Sequence, residues 1–68
     1  MKYLFEGECI NDNREGNGKY IYEDGKYYIG QFKNGLRHGK GTMYYKDGNI
    51  LFEGDWINDE YIEKWILN

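Results

Sequence analysis

The chain has 68 residues, a net charge of −3 and 40% hydrophobic content, which makes it one small domain near the size where a single core can stabilise itself. Neither sign of charge forms a block, and nucleic-acid binding normally needs a basic stripe. No stretch approaches the ~20 apolar residues of a membrane span.

Met1–Glu6 has no apolar run long enough for a signal peptide. The one cysteine, Cys9, excludes an internal disulfide. Both features predict a cytoplasmic site. The first predicted strand puts Phe5, Gly7 and Cys9 on one face and Glu6 and Glu8 on the other. The paired glycines Gly16 and Gly18 follow, then the run Lys19-Tyr20-Ile21-Tyr22, with Tyr20 and Tyr22 on a common face, and the turn Asp24-Gly25.

The next segment repeats this order. Tyr28, Gly30 and Phe32 face one way, and Ile29 and Gln31 the other. Asn34-Gly35, the pair Gly39 and Gly41, the run Thr42-Met43-Tyr44-Tyr45 and the turn Asp47-Gly48 complete it, with Met43 and Tyr45 equivalent to Tyr20 and Tyr22. Asn34-Gly35 and Asp47-Gly48 suit two-residue hairpin turns, in which both central residues need φ > 0. Gly30 lies five residues after Gly25 but Gly54 six after Gly48, so one residue is inserted before the third unit. That unit opens with Phe52, Gly54 and Trp56 on one face and Glu53 and Asp55 on the other.

The tail changes character. Tyr61 with Trp65 and Ile62 with Ile66 stand four apart, as on one helical stripe. The spacing predicts a short capping helix, with Asn58 or Asp59 at its N-cap. A strand with Tyr61, Glu63, Trp65 and Leu67 on one side is the alternative.

Phe5, Tyr28 and Phe52 are spaced 23 and 24 residues apart. A period in this range marks stacked supersecondary units. Residues 28–41 carry aromatic-x-Gly-x-aromatic-x-Asn-Gly-x-x-His-Gly-x-Gly and resemble the MORN repeat. The first copy departs from it at Cys9 and Asp12, and the third departs after Asn58. The domain reads as two repeats, about 5–27 and 28–51, a partial third over 52–59, and a C-terminal cap over 60–68. The resemblance implies an all-β fold of antiparallel hairpins stacked side by side in one twisted sheet. Glycines inside its strands leave gaps over which neighbouring rings can lie.

Repeat stacks offer binding surfaces and seldom chemistry of their own. His38 is the lone histidine and no serine occurs. Cys9 and His38 could serve as nucleophile and base, but His38 occupies the repeat's histidine position, so a packing role is expected. The acidic residues fall in separate turns rather than as a metal-ligand cluster. We therefore expect no enzyme, metal or cofactor. The expected function is protein–protein interaction through an aromatic face formed by Tyr20, Tyr22, Tyr28, Phe32, Tyr45 and Trp56, part of it accessible in the monomer. A membrane-surface role, often proposed for proteins similar to MORN repeats, would place phosphate or lipid headgroups on Lys33, Arg37, His38 and Lys40. A small sequestering, inhibitor or antitoxin-like role is a further alternative. Few repeats and an N-terminal strand edge predict a homodimer, or an obligate complex with a protein partner, through that edge or the aromatic face.

Overall fold

The computed structural model describes residues 4–62. They form one six-stranded antiparallel sheet in chain order: β1 (Leu4–Ile10), β2 (Asn13–Ile21), β3 (Tyr27–Lys33), β4 (Leu36–Tyr44), β5 (Ile50–Ile57) and β6 (Glu60–Ile62). The segment expected to begin a helix is therefore strand over Glu60–Ile62, where Trp56 pairs with Tyr61 and Ile57 with Glu60. The reason lies in the turn before it: Asn58 and Asp59 adopt φ of 47° and 76° and return the chain along β5 instead of capping a helix. The rest of the expected cap, with Trp65 and Ile66, lies outside the described residues.

Two kinds of turn alternate. Asn11-Asp12, Asn34-Gly35 and Asn58-Asp59 are two-residue hairpin turns with both residues at positive φ, a conformation that Asn and Asp tolerate better than other side chains. Asp47-Gly48, expected to be such a turn, belongs instead to a three-residue loop. The Gly48 N–H donates to Tyr45 O, the Tyr45 N–H donates to Asn49 O, and only Gly48 has positive φ. Tyr22–Lys26 repeats this arrangement around Gly25. It is a type I turn closed by a left-handed glycine.

The register lines up a row of glycines across five strands: Gly7, Gly18, Gly30, Gly41 and Gly54 are successive partners. A parallel row on the same face holds Phe5, Tyr20, Tyr28, Met43 and Phe52. Rings from this row lie down in the glycine trough. A Cβ on Gly18 would stand 2.7 Å from the Phe5 ring, and one on Gly41 would fall within the Tyr28 ring. Beyond the trough, β2 and β4 bulge. Three residues of β4 (38–40) face Gln31 alone, and three of β2 (15–17) face Glu8 alone. The Gln31 carboxamide oxygen accepts the Lys40 N–H at the bulge, 2.8 Å away. The residue inserted before the third unit appears as a further irregularity, with Leu51 between the pairs Met43–Phe52 and Tyr44–Ile50. Leu51 packs against the core.

The core is small and aromatic. Tyr28, Phe32, Met43 and Trp56 are buried, and Phe5, Tyr20, Tyr22, Leu51 and Tyr61 pack around them. Tyr28 meets Phe32 and Trp56 edge-on at centroid distances of 5.1 and 5.2 Å, pairs worth roughly 0.5–1.5 kcal/mol each beyond their burial. The polar tips find backbone partners: Tyr28 Oη donates to Gln31 O and Trp56 Nε1 to Gly41 O. Tyr45, grouped with these rings by alternation, is 44% exposed and stands outside the cluster. β4 ends at Tyr44, so alternation does not extend to it.

Gly41→Ala should therefore cost about 3 kcal/mol or more, because a methyl cannot share the trough with the Tyr28 ring. Gly35→Asp should cost less than about 1 kcal/mol, since Asp takes the same turn position at residues 12 and 59. Urea denaturation of both variants measures the contrast. Burial pushes the Tyr28 phenol up to about 12. The folded chain thus holds this proton after the unfolded chain has released it. Its contribution to stability is full below the ordinary phenol value of 10.0 and is lost as pH rises towards 12. Alkaline melts of the wild type should fall more steeply with pH than those of Tyr28→Phe.

Candidate functional site

The sheet is a single layer, with principal extents of 40 × 27 × 14 Å. Its aromatic face carries a groove of ≈ 500 Å³ between the Tyr22–Lys26 loop and the C-terminal hairpin. Tyr22, Met43, Leu51, Phe52, Trp56 and Tyr61 form its apolar lining, while Asp24, Lys26, Arg37, Asp59 and Glu60 contribute the charged part. Phe52 is 38% exposed and Tyr22 is half-buried, so the wall is open to a ligand. Tyr20 stacks on Tyr22 at 4.6 Å.

One end of the groove is fixed by the junction between the second and third hairpins. Arg37 lies 4.8 Å over the Trp56 ring and 5.8 Å from that of Tyr22. Its Nε donates to Asp59 Oδ1 at 2.9 Å and its Nη2 to Asp59 O at 3.0 Å. The backbones lock as well: the Asp59 N–H donates to Arg37 O, and the Arg37 N–H to Asp59 Oδ1. The first and second hairpins meet in the same way. Arg14 Nη2 donates to Gly35 O at 2.6 Å, the Gly35 N–H donates to Arg14 O, and the guanidinium stands 4.5 Å over Tyr20. The next residue completes each junction. Glu15 accepts the Asn34 N–H, and His38 Nδ1 accepts the Asn58 N–H at 3.4 Å. His38 thus has a structural partner, and β2 and β3 separate its strand from that of Cys9.

Of the residues expected to form the binding face, Tyr28, Phe32 and Trp56 are core, leaving Tyr20 and Tyr22 at its margin and Tyr45 apart. Alternation identified their face but not their depth. The expected basic cluster does not gather. Arg37 turns into the aromatic face, while Lys40 lies on the opposite face, 3.1 Å from Asp55. Lys33 pairs with Leu36 at the end of β3, beyond the Phe32–Arg37 pair. Sequence reasoning placed Phe52 on this face but not among its contact residues, and it missed Arg14, Leu51, Asp59 and Tyr61 as parts of it. The equal spacing of Arg14 and Arg37 in the repeat was the available signal. It also missed a second apolar row on the opposite face, formed by Leu4, Ile21, Tyr27, Tyr44 and Ile50. There the Tyr27 and Tyr44 rings stack at 4.8 Å.

Burial works to raise the Asp59 carboxyl. Hydrogen bonds from the Arg37 backbone and side chain, with the guanidinium charge, outweigh it and hold the group below its ordinary value of 3.8. The resulting stability is present above that value and is lost as pH falls through the lowered one. Acid melts should show this loss in the wild type and a weaker one in Asp59→Asn. Arg37→Ala should cost about 1–2 kcal/mol through the lost hydrogen bonds and ring contacts. Arg37→Lys should recover only part, because an ammonium cannot span both Asp59 oxygens as the fork does.

Comparison with known proteins agrees with this architecture. Over 65 residues, 94% of its length, the chain is 38% identical to "Inactive protein tyrosine kinase pTKL" of Plasmodium berghei, of which the match covers 4%. Over 33 residues, 48% of its length, it is 48% identical to "MORN repeat-containing protein 3" of Xenopus laevis, with 14% of that protein covered. The chain therefore spans a small part of the length of these curated relatives. MORN repeats commonly serve as protein- or membrane-interaction modules and are in general non-enzymatic. The MORN repeat family model matches two consecutive units, residues 5–27 and 28–50, each of which spans one hairpin and the loop after it to within one residue; the chain belongs to the MORN repeat family.

Proposed function

We propose that the chain is a protein-interaction module that takes an apolar segment of a protein partner into the groove on its aromatic face. The observation that carries this reading is the open wall of Tyr22, Leu51, Phe52 and Tyr61 over a buried Trp56, with no second layer above it among the described residues. Aromatic residues around a pocket are the usual anchors of protein interfaces. Headgroup binding is favoured less, because Arg37 and Lys40 already face Asp59 and Asp55 and an acidic chain gains little from an anionic surface. We place this activity in the cytoplasm.

Self-association through the groove belongs to the same proposal. Two-fold pairing of β1 with its own copy does not, because it sets Glu6 and Glu8 against the same residues of the second chain. Like charges directly opposite destabilise a strand pair.

Pull-down from the source cell with four forms of the chain tests the face. Tyr22→Ala with Phe52→Ala should abolish capture at a cost of about 2–3 kcal/mol for two part-exposed rings, with the sheet still folded by circular dichroism. Ile29→Ser with Ile57→Ser, on the opposite face, should leave capture intact. Trp56→Ala should unfold the sheet, at about 3–5 kcal/mol. Capture that survives the groove pair and is lost with the opposite-face pair overturns the reading. So does binding of the chain to phosphatidic acid liposomes at physiological salt. Light scattering over a wide concentration range reports self-association as mass above 8.2 kDa.

A further inference from the structure

β1 is a second copy of β5 in sequence and in turn geometry. Leu4-Phe5-Glu6-Gly7 repeats Leu51-Phe52-Glu53-Gly54, Glu8 stands for Asp55, and Ile10-Asn11-Asp12 repeats Ile57-Asn58-Asp59. Asn11 and Asp12 have φ of 52° and 69°, close to the 47° and 76° of Asn58 and Asp59. The two strands differ in what lies beside them. β5 has β4 along one edge, whereas β1 is paired with β2 and, among the described residues, with nothing on its outer side. Glu6, Glu8 and Asp12 are exposed, and no ion pair among the described residues engages them.

The β4–β5 junction shows what such an edge holds. β4 presents Arg37-His38-Gly39-Lys40-Gly41. Arg37 grips the Asp59 carboxylate and carbonyl, His38 accepts the Asn58 N–H, Lys40 lies 3.1 Å from Asp55, and Gly41 pairs with Gly54. The β2–β3 junction repeats the arginine and acceptor contacts with Arg14 and Glu15.

We propose that the outer edge of β1 and the Asn11-Asp12 turn form a docking site for a β-strand of a different protein chain. That strand carries arginine for Asp12, a hydrogen-bond acceptor next to it, and a lysine three residues after the arginine for Glu8. Main-chain pairing supplies affinity and the charged pairs supply register. A second copy of this chain does not provide the strand. Its two arginines, Arg14 and Arg37, are engaged within its own junctions, and Tyr61 occupies the arginine position of β6, opposite Trp56 as Arg37 is opposite Phe32. Cys9, in place of Trp56, leaves room for a larger side chain from the partner. This edge is separate from the groove, so the two proposals stand or fall independently.

A synthetic hairpin copying residues 27–45, which presents a free β4 edge, is the probe. Titrated into the isotope-labelled full chain, it should shift the amide resonances of Phe5–Asp12. The Arg37→Ala form of the probe, or Asp12→Asn in the chain, should each weaken binding about tenfold. For weak affinity the same segment, extended to residue 49, is joined directly ahead of Tyr3. Hydrogen exchange at the outward-facing amides of β1 should then slow by about tenfold or more, and Asp12→Asn should reverse much of this. The proposal is overturned if β1 amides gain neither shift nor protection with the joined probe. It is equally overturned if the arginine-free probe does as well as the intact one.

Discussion

A one-layer sheet has to build its interior out of its own surface, and the glycine trough is how this chain does it. Among the described residues, Tyr28 and its neighbours are buried without an opposing helix or second sheet because the strand positions beneath them carry no side chain. The arrangement exchanges Cβ volume for ring volume: each glycine weakens its strand locally, and the ring laid over it restores packing across neighbouring strands. Every other feature of the face follows. The Phe32 and Trp56 rings stand nearly perpendicular to the Tyr28 ring, at 83° and 80°, and the Tyr28 hydroxyl and Trp56 indole N–H reach backbone carbonyls. What remains exposed is the upper rim of these rings, which is the wall of the groove.

Stacking is fixed by a second device, the arginine that follows the Asn11-Asp12 and Asn34-Gly35 turns. Arg14 and Arg37 reach across to the next hairpin's turn and hold both its carbonyl and its N–H, directly and through the main chain. The guanidinium is also the bridge between rings of adjacent repeats, so hydrogen bonding and packing are satisfied by one side chain. Glu15 and His38 then do the same work with different chemistry, each accepting an N–H from the next hairpin's turn.

Much of this was legible in the sequence because it repeats. The period of Phe5, Tyr28 and Phe52, the coincident glycines and the Asn34-Gly35 turn specify hairpins, order and the ring-bearing face. The inserted residue was visible as well and emerges as the Leu51 irregularity. Features that depend on partners across the sheet were not visible. Asn11-Asp12 and Asn58-Asp59 adopt the hairpin conformation without glycine, so in sequence the first looks like a departure from the repeat and the second like a helix cap. Lys33, Arg37, His38 and Lys40 are close in the chain, yet the pleat and the bulge send them to different faces. Depth does not follow from alternation, so Trp56 and Phe32, expected on the contact face, are core.

The consecutive strand order has a kinetic meaning. The most distant paired residues are Leu4 with Ile21, Tyr27 with Tyr44 and Gly39 with Trp56, so no pairing has to wait for a long loop to close. Chains whose contacts are this local belong at the fast end of β-protein folding, and units joined only to their neighbours open from the ends inward. Among the described residues, β6 pairs with β5 over Glu60–Ile62. Phe52 and Tyr61 belong both to the β5–β6 hairpin and to the groove's wall, so any opening of that hairpin dismantles the wall while the buried centre around Tyr28 can persist.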